Sequence, residues 1–260
     1  MTDYQTLVVD QDEAVGRIQL NRPKSLNAFN SQMRKELLLA LTAMAKDDTI
    51  RAVILSSTSA AFSAGADLAE GAPSNMTVEQ QVMGEYLPIL NQIADMEKPV
   101  IAAVPGVMAG VGASIAMQCD LMVMAESATL GVAFSNISLI PDGGACWQLL
   151  HKLGYQRAYQ LIAEGGRLDA AQCLTFGIAN QVVPVEEVNA AATSWAAKLA
   201  SRAPIALREA KKVLRQTANL SFVETVALEA KVQNYCAATD DAREAVLAFL
   251  EKRAPVFTGR

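Results

Sequence analysis

Two stretches of small residues are where this chain could do chemistry: Phe62-Ser63-Ala64-Gly65-Ala66-Asp67-Leu68, and Pro105-Gly106-Val107-Met108-Ala109-Gly110-Val111-Gly112. Loops this poor in side chains let backbone N–H groups come close to a ligand, because Gly tolerates strained backbone angles and Ala adds little bulk. Two of them aimed at one point would make an oxyanion hole. A phosphate cradle is the weaker reading of the second loop, since the dinucleotide pattern needs a third Gly where Ile115 stands. Gly112-Ala113-Ser114-Ile115-Ala116 is one residue short of a nucleophile elbow. A serine hydrolase would then need His151, the single histidine, which sits in Leu149-Leu150-His151-Lys152-Leu153 and reads as a helix-surface or packed residue. Asp142, in Ile140-Pro141-Asp142-Gly143-Gly144, precedes a helix expected from about Ala145, where capping is an ordinary role for an aspartate.

The elements that must position these groups follow from periodicity. Residues 5–20 predict two strands around the polar turn Asp10-Gln11-Asp12-Glu13. Asn30 or Ser31 can cap a helix carrying Met33, Leu37, Leu41 and Met44 on one face. The apolar runs 52–55 and 100–104 predict buried strands feeding the two loops. A helix over roughly 77–96 is stopped by Lys98-Pro99. Strand and helix alternate through Leu121-Met122-Val123-Met124 and the Gly-rich turn at 142–144, and after Val182-Val183-Pro184 the pattern is helical. Phe222, Val226, Leu228, Val232 and Tyr235 fit either a subunit contact or core packing. The pattern alone suits a doubly wound sheet as well as any other α/β arrangement.

Composition narrows the classes. A chain of 260 residues with 52% apolar content can bury roughly 75% of its unfolded surface. A net charge of −5 argues against nucleic-acid binding, which leaves a basic footprint. No run reaches the ~18 apolar residues of a membrane span, and Met1-Thr2-Asp3-Tyr4-Gln5 lacks the features of a signal peptide, so a cytoplasmic protein is expected. Cys119, Cys146, Cys173 and Cys236 are widely spaced, without a metal-binding pattern, and are expected as reduced thiols with no metal.

The two loops, together with Asn21-Arg22-Pro23-Lys24-Ser25-Leu26-Asn27-Ala28, resemble the enoyl-CoA hydratase/isomerase (crotonase) family, and the resemblance runs on to Phe249-Leu250-Glu251-Lys252-Arg253-Ala254-Pro255. It implies an α/β fold built as a spiral of repeated ββα units. Residues 1–184 would form the acyl-CoA-binding and catalytic core, and 185–260 a helical module that assembles a homotrimer or a dimer of trimers. The implied substrate is an acyl-CoA thioester, with coenzyme A entering as part of the substrate and no separate cofactor. Its enolate would be held by the N–H groups of Ala66 and Val111, the latter a position where many relatives have Gly. Lys24, Leu26, Ala28, Ala64, Asp67, Leu68, Phe134 and Pro141 match substrate- or CoA-contacting positions. Lys252 and Phe257 resemble positions through which a neighbouring subunit touches the nucleotide, and Arg208, Lys211, Lys212 and Arg215 share a helical face that could meet phosphates or simply be solvated.

Departures from the family pattern decide the expected reaction. Hydratases of the family use two glutamates; here those positions hold Ser114 and Phe134, which can neither act as a carboxylate base nor carry a proton. The run from Ala133 to Asp142 looks most like the bacterial ring-1,2-epoxyphenylacetyl-CoA isomerase branch, in which the Asp142 position is catalytic. The resemblance therefore implies an isomerase that moves a double bond, or rearranges a ring epoxide, with Asp142 as single acid/base. Atypical hydration, an idle CoA-binding scaffold and, last, a serine hydrolase are the alternatives. The acyl group is left open: Met76, Met83, Tyr86 and Leu87, beyond the loop Gly71-Ala72-Pro73-Ser74-Asn75, could line an apolar cavity or simply pack.

Overall fold

A computed structural model describes residues 3–71 and 76–260; Met1, Thr2 and most of the expected loop, Ala72 to Asn75, lie outside the described residues. The chain opens with a hairpin, β1 (Leu7–Asp12) and β2 (Val15–Leu20), whose tight turn at Glu13 and Ala14 is shorter than the four polar residues suggested. Asn30 caps α1 (Ser31–Lys46), its Oδ1 accepting the Met33 N–H at 2.9 Å. The capped helix buries the expected stripe of Met33, Leu37, Leu41 and Met44. After β3 (Ala52–Ser57), one helical stretch runs as α2 (Val78–Gln81), a π-helical turn (Val82–Tyr86) and α3 (Leu87–Asp95).

The next units alternate between two sheets. β4 (Val100–Val104) leads through β5 (Met108–Ala109) into α4 (Gly110–Gln118), and β6 (Leu121–Ala125) is followed by β7 (Thr129–Gly131). α5 (Ala145–Leu153), α6 (Tyr155–Ala163), β8 (Arg167–Asp169), α7 (Ala170–Thr175) and β9 (Gln181–Val183) complete this part. The larger sheet has the order β1-β2-β3-β4-β6-β9, parallel from β2 onward, and the smaller has β5-β7-β8. From β4 onward each turn of the chain thus lays one strand in each sheet, the spiral that the family resemblance implies and that a doubly wound sheet lacks. β3 and β4 are buried along their whole length, which accounts for their unbroken apolar runs.

α8 (Val188–Ala200), α9 (Pro204–Thr217), α10 (Phe222–Ala237) and α11 (Asp240–Glu251) form the helical C-terminal segment. α8 packs on the larger sheet through Val188, Ala192 and Ala196. α10, by contrast, buries none of its residues.

Candidate active site

β3 and β4 are hydrogen-bonded neighbours running in the same direction, with Ile54 opposite Ile101 and Leu55 opposite Ala102. Their carboxyl ends therefore deliver the two small-residue loops to one place, where parallel sheets commonly bind ligands. The loops are joined directly. Phe62 N–H donates to the Val107 carbonyl at 3.0 Å, and Ala109 N–H to the Ser63 carbonyl at 2.9 Å. Gly65 is at φ +102°, and a Cβ there would stand 3.0 Å from the Ala109 carbonyl oxygen and 3.3 Å from the Gly110 Cα. Only glycine allows this approach.

Ala66 N–H and Val111 N–H donate to no protein group among the described residues. The first belongs to a residue on the exposed edge of its loop. The second lies in the first turn of α4, whose N-cap Ala109 offers no side-chain acceptor. Such orphan donors at a helix N-terminus favour a negative oxygen, as both hydrogen bonding and the helix dipole direct. Val111's side chain is buried, its Cγ2 packing beside Gly143.

The segment 21–28 buttresses the first loop. Leu26 and Asn27 both adopt left-handed backbone angles. The Asn27 amide accepts from Arg22 N–H at 2.7 Å and donates to the Ala61 carbonyl at 2.9 Å, while Ala64 N–H donates to the Leu26 carbonyl at 2.9 Å. Arg22, not singled out from the sequence, pairs with Asp67 at 2.8 Å and also donates to the Ala28 carbonyl. The Arg22 hydrogen bond holds the Asp67 carboxyl below its ordinary value. Asp67 is thus occupied in bracing the loop. Lys24, Leu26 and Leu68 are exposed around it, Ala28 is buried, and Ala64 is open to solvent.

Asp142 approaches from the other side. Ser114 Oγ, fully buried, donates to the Asp142 carbonyl at 2.9 Å. Gly143, at φ +60°, has Ser114 Cβ at 3.0 Å and Val111 Cγ2 at 3.2 Å from where its own Cβ would be. The loop Pro141 to Gly144 is therefore seated on the N-terminal turns of α4, next to the Val111 donor. The capping role is not what the structure shows: Gly144 is the N-cap of α5, and no side chain caps that helix. Asp142 Oδ1 is buried and without a hydrogen-bond partner, and burial pushes the carboxyl above its ordinary value. Phe134 is half-buried with its Cζ near Gly110, and Pro141 is buried. Met83 and Leu87 line a cavity of 1010 Å³ with Gly143, Gly144 and Trp147. The Met76 side chain is half-buried.

Two alternatives that the sequence left open are answered by side-chain contacts. Ser114 Oγ is engaged by a backbone carbonyl, and His151 Nδ1 pairs with the Trp147 carbonyl at 2.7 Å while its ring stacks on Trp147 at 4.0 Å, so no Ser–His pair exists. The basic face of α9 is already paired internally. Lys211 and Arg215 bind Asp120 at 2.8 and 3.0 Å, and Arg208 and Lys212 reach Glu97. Lys252 is the left-handed C-cap of α11, and Phe257 offers its carbonyl to Arg51 at 2.9 Å; within one chain neither is hydrogen-bonded to the site. Among the described residues no three His, Cys, Asp or Glu side chains cluster as metal ligands, and no helix is long and apolar enough to cross a membrane.

The profile of the enoyl-CoA hydratase/isomerase family matches residues 10–260. A probable enoyl-CoA hydratase of Mycobacterium tuberculosis is 34% identical over 257 residues, covering 99% of both chains. The 1,2-epoxyphenylacetyl-CoA isomerase of Escherichia coli K12 is 36% identical over 257 residues, covering 96% of this chain and 97% of that one. The crystal structure of an enoyl-CoA hydratase subunit from Geobacillus kaustophilus superposes with a TM-score of 0.93 at 31% identity, over 100% of each chain.

Proposed function

The chain belongs to the enoyl-CoA hydratase/isomerase family, and on that footing we propose that it is an acyl-CoA isomerase with Asp142 as its single acid/base. In a 3-enoyl thioester the α-proton lies between the carbonyl and the alkene. The Asp142 carboxylate removes it, the electrons move onto the thioester oxygen, and the N–H groups of Ala66 and Val111 hold the resulting dienolate. Asp142 then returns the proton to the γ-carbon, leaving a conjugated 2-enoyl thioester. One proton leaves and one returns, so no second acid is needed.

The observation that carries this reading is Asp142, half-buried with its Oδ1 buried and unpartnered, on a loop seated beside one of two N–H donors that no protein group among the described residues accepts. Two-glutamate hydration has no support in the chain, because Ser114 is locked to the Asp142 carbonyl and Phe134 carries no proton. Lys24, Leu26, Ala64 and Leu68 supply the exposed surface on which the CoA moiety would lie. Lys252 and Phe257 would reach the nucleotide from a neighbouring copy in a homotrimer or dimer of trimers. Cytoplasmic residence is the matching assignment, and the free thiols of Cys119 and Cys173 fit a reducing compartment.

With a 3-enoyl-CoA the protein is expected to generate conjugated-thioester absorbance, and Asp142→Asn to lose it by roughly 10²- to 10⁴-fold, the usual contribution of general acid–base catalysis. Equal rates in the two proteins would refute the assignment. The missing glutamate pair also favours a second reading, a CoA-binding scaffold without turnover. Tight acyl-CoA binding with no proton exchange would select it.

A further inference from the structure

The cavity of 1010 Å³ that begins at Gly143 and Gly144, the residues next to Asp142, has an apolar wall of Met83, Leu87, Leu90 and Trp147. Tyr86 packs instead edge-on against Phe29, with ring centres 6.5 Å apart. Two side-chain amides interrupt that wall. Gln118, the last residue of α4, and Gln148, in α5, both line the cavity, and Gln148 Nε2 donates to Gln118 Oε1 at 2.8 Å.

The direction of this pair is set from its far end. Gln118 Nε2 donates to the Leu90 carbonyl at 3.3 Å, and a carbonyl can only accept. Gln118 must therefore turn its oxygen to Gln148, and Gln148 must answer with its N–H group. Gln148 Oε1 is then an acceptor with nothing to accept. The residue is 5% exposed, and no group among the described residues donates to that oxygen. A buried amide oxygen without a donor costs stability, a cost that an apolar side chain of similar size would not carry. Gln148 stands four residues beyond Gly144, the N-cap of α5, so a helical rise of about 1.5 Å per residue sets it roughly 6 Å past the Asp142 loop along the helix axis. That is about the depth of a six-membered ring, beyond the carbons between which Asp142 would move a proton.

We propose that Gln148, held in orientation by Gln118, is a specificity-determining residue that accepts a hydrogen bond from the distal end of the acyl group, so that the site takes acyl-CoA thioesters carrying a hydroxyl remote from the thioester, as on the far side of an aromatic ring. This rests on the reading of the site as an acyl-CoA isomerase centre. The rest of the acyl group lies along Met83, Leu87 and Trp147, which offer it only apolar contact or ring faces.

Calorimetric titration with 4-hydroxyphenylacetyl-CoA and with phenylacetyl-CoA, which differ by one hydroxyl, tests the proposal without turnover. The wild type should bind the hydroxylated thioester about tenfold more tightly, the worth of one buried hydrogen bond, and Gln148→Met should bind the two alike. Equal affinities in the wild type, the result if a water molecule alone satisfies Gln148, would overturn the proposal whether or not the variant folds. A preference that survives unchanged in Gln148→Met would overturn it as well, since the hydroxyl would then have its partner elsewhere. Neither result touches the Asp142 assignment, which stands or falls on the rate of Asp142→Asn with a 3-enoyl-CoA. Failure of the wild type to bind either thioester would overturn both.

Discussion

Asp142 pays for its position in stability. Burial raises its pKa, so folding favours the protonated form. The penalty is absent below the ordinary carboxylate range and grows as pH rises through the raised value. Asp142→Asn should therefore melt at or above the wild-type temperature at pH 7, with the advantage vanishing in acid; a variant less stable at neutral pH would mean that the carboxylate has a structural partner. Because the base must be ionised, the isomerisation rate should climb with pH through an inflexion above the ordinary aspartate value. An inflexion at or below that value would assign the profile to another group. At this scale the sequence was informative about residue types and silent about partners. Asp142 was visible, but its freedom from capping depends on Gly144 taking the N-cap with a left-handed backbone. Arg22 escaped notice because its role is fixed by its contact with Asp67, 45 residues away in sequence.

The loops and the helix they open act as one unit. Gly143 has no room for a Cβ between Ser114 and Val111, and its φ of +60° is strained for any other residue. Gly143→Ala should cost about 1–2 kcal/mol from backbone strain, and it should push the Asp142 loop off α4. A fall in turnover of roughly 10²-fold is expected, comparable to the loss of an oxyanion donor; retained activity would show that the seating of this loop on α4 is not what holds the site. The strands and helices that carry the loops were largely legible. Buried strands read as unbroken apolar runs at 52–55 and 100–104, and Asn30 announced α1 through its capping chemistry. The π-helical turn within the helix read over 77–96 was not legible, since no residue type marks a one-residue widening of the ladder.

The single chain leaves much apolar surface uncovered at its C-terminal end. Phe222 and Phe249 are each 82% exposed, and Val223 and Leu250 scarcely less. Light scattering is expected to report a trimer or a dimer of trimers of the 27.7 kDa chain; a monodisperse monomer would contradict the proposed assembly. The spiral could not be read from periodicity, because β5, β7 and β8 are only two or three residues long and give no alternation to detect. It followed from resemblance, and the alternation between the two sheets bears that out.

The most direct test of one-base isomerisation follows a 3-enoyl-CoA deuterated at the α-carbon through a single turnover. The account predicts conjugated product that carries part of the label at its γ-carbon, and neither conjugation nor transfer with Asp142→Asn. Conjugation at equal rates in the wild type and the variant would contradict it.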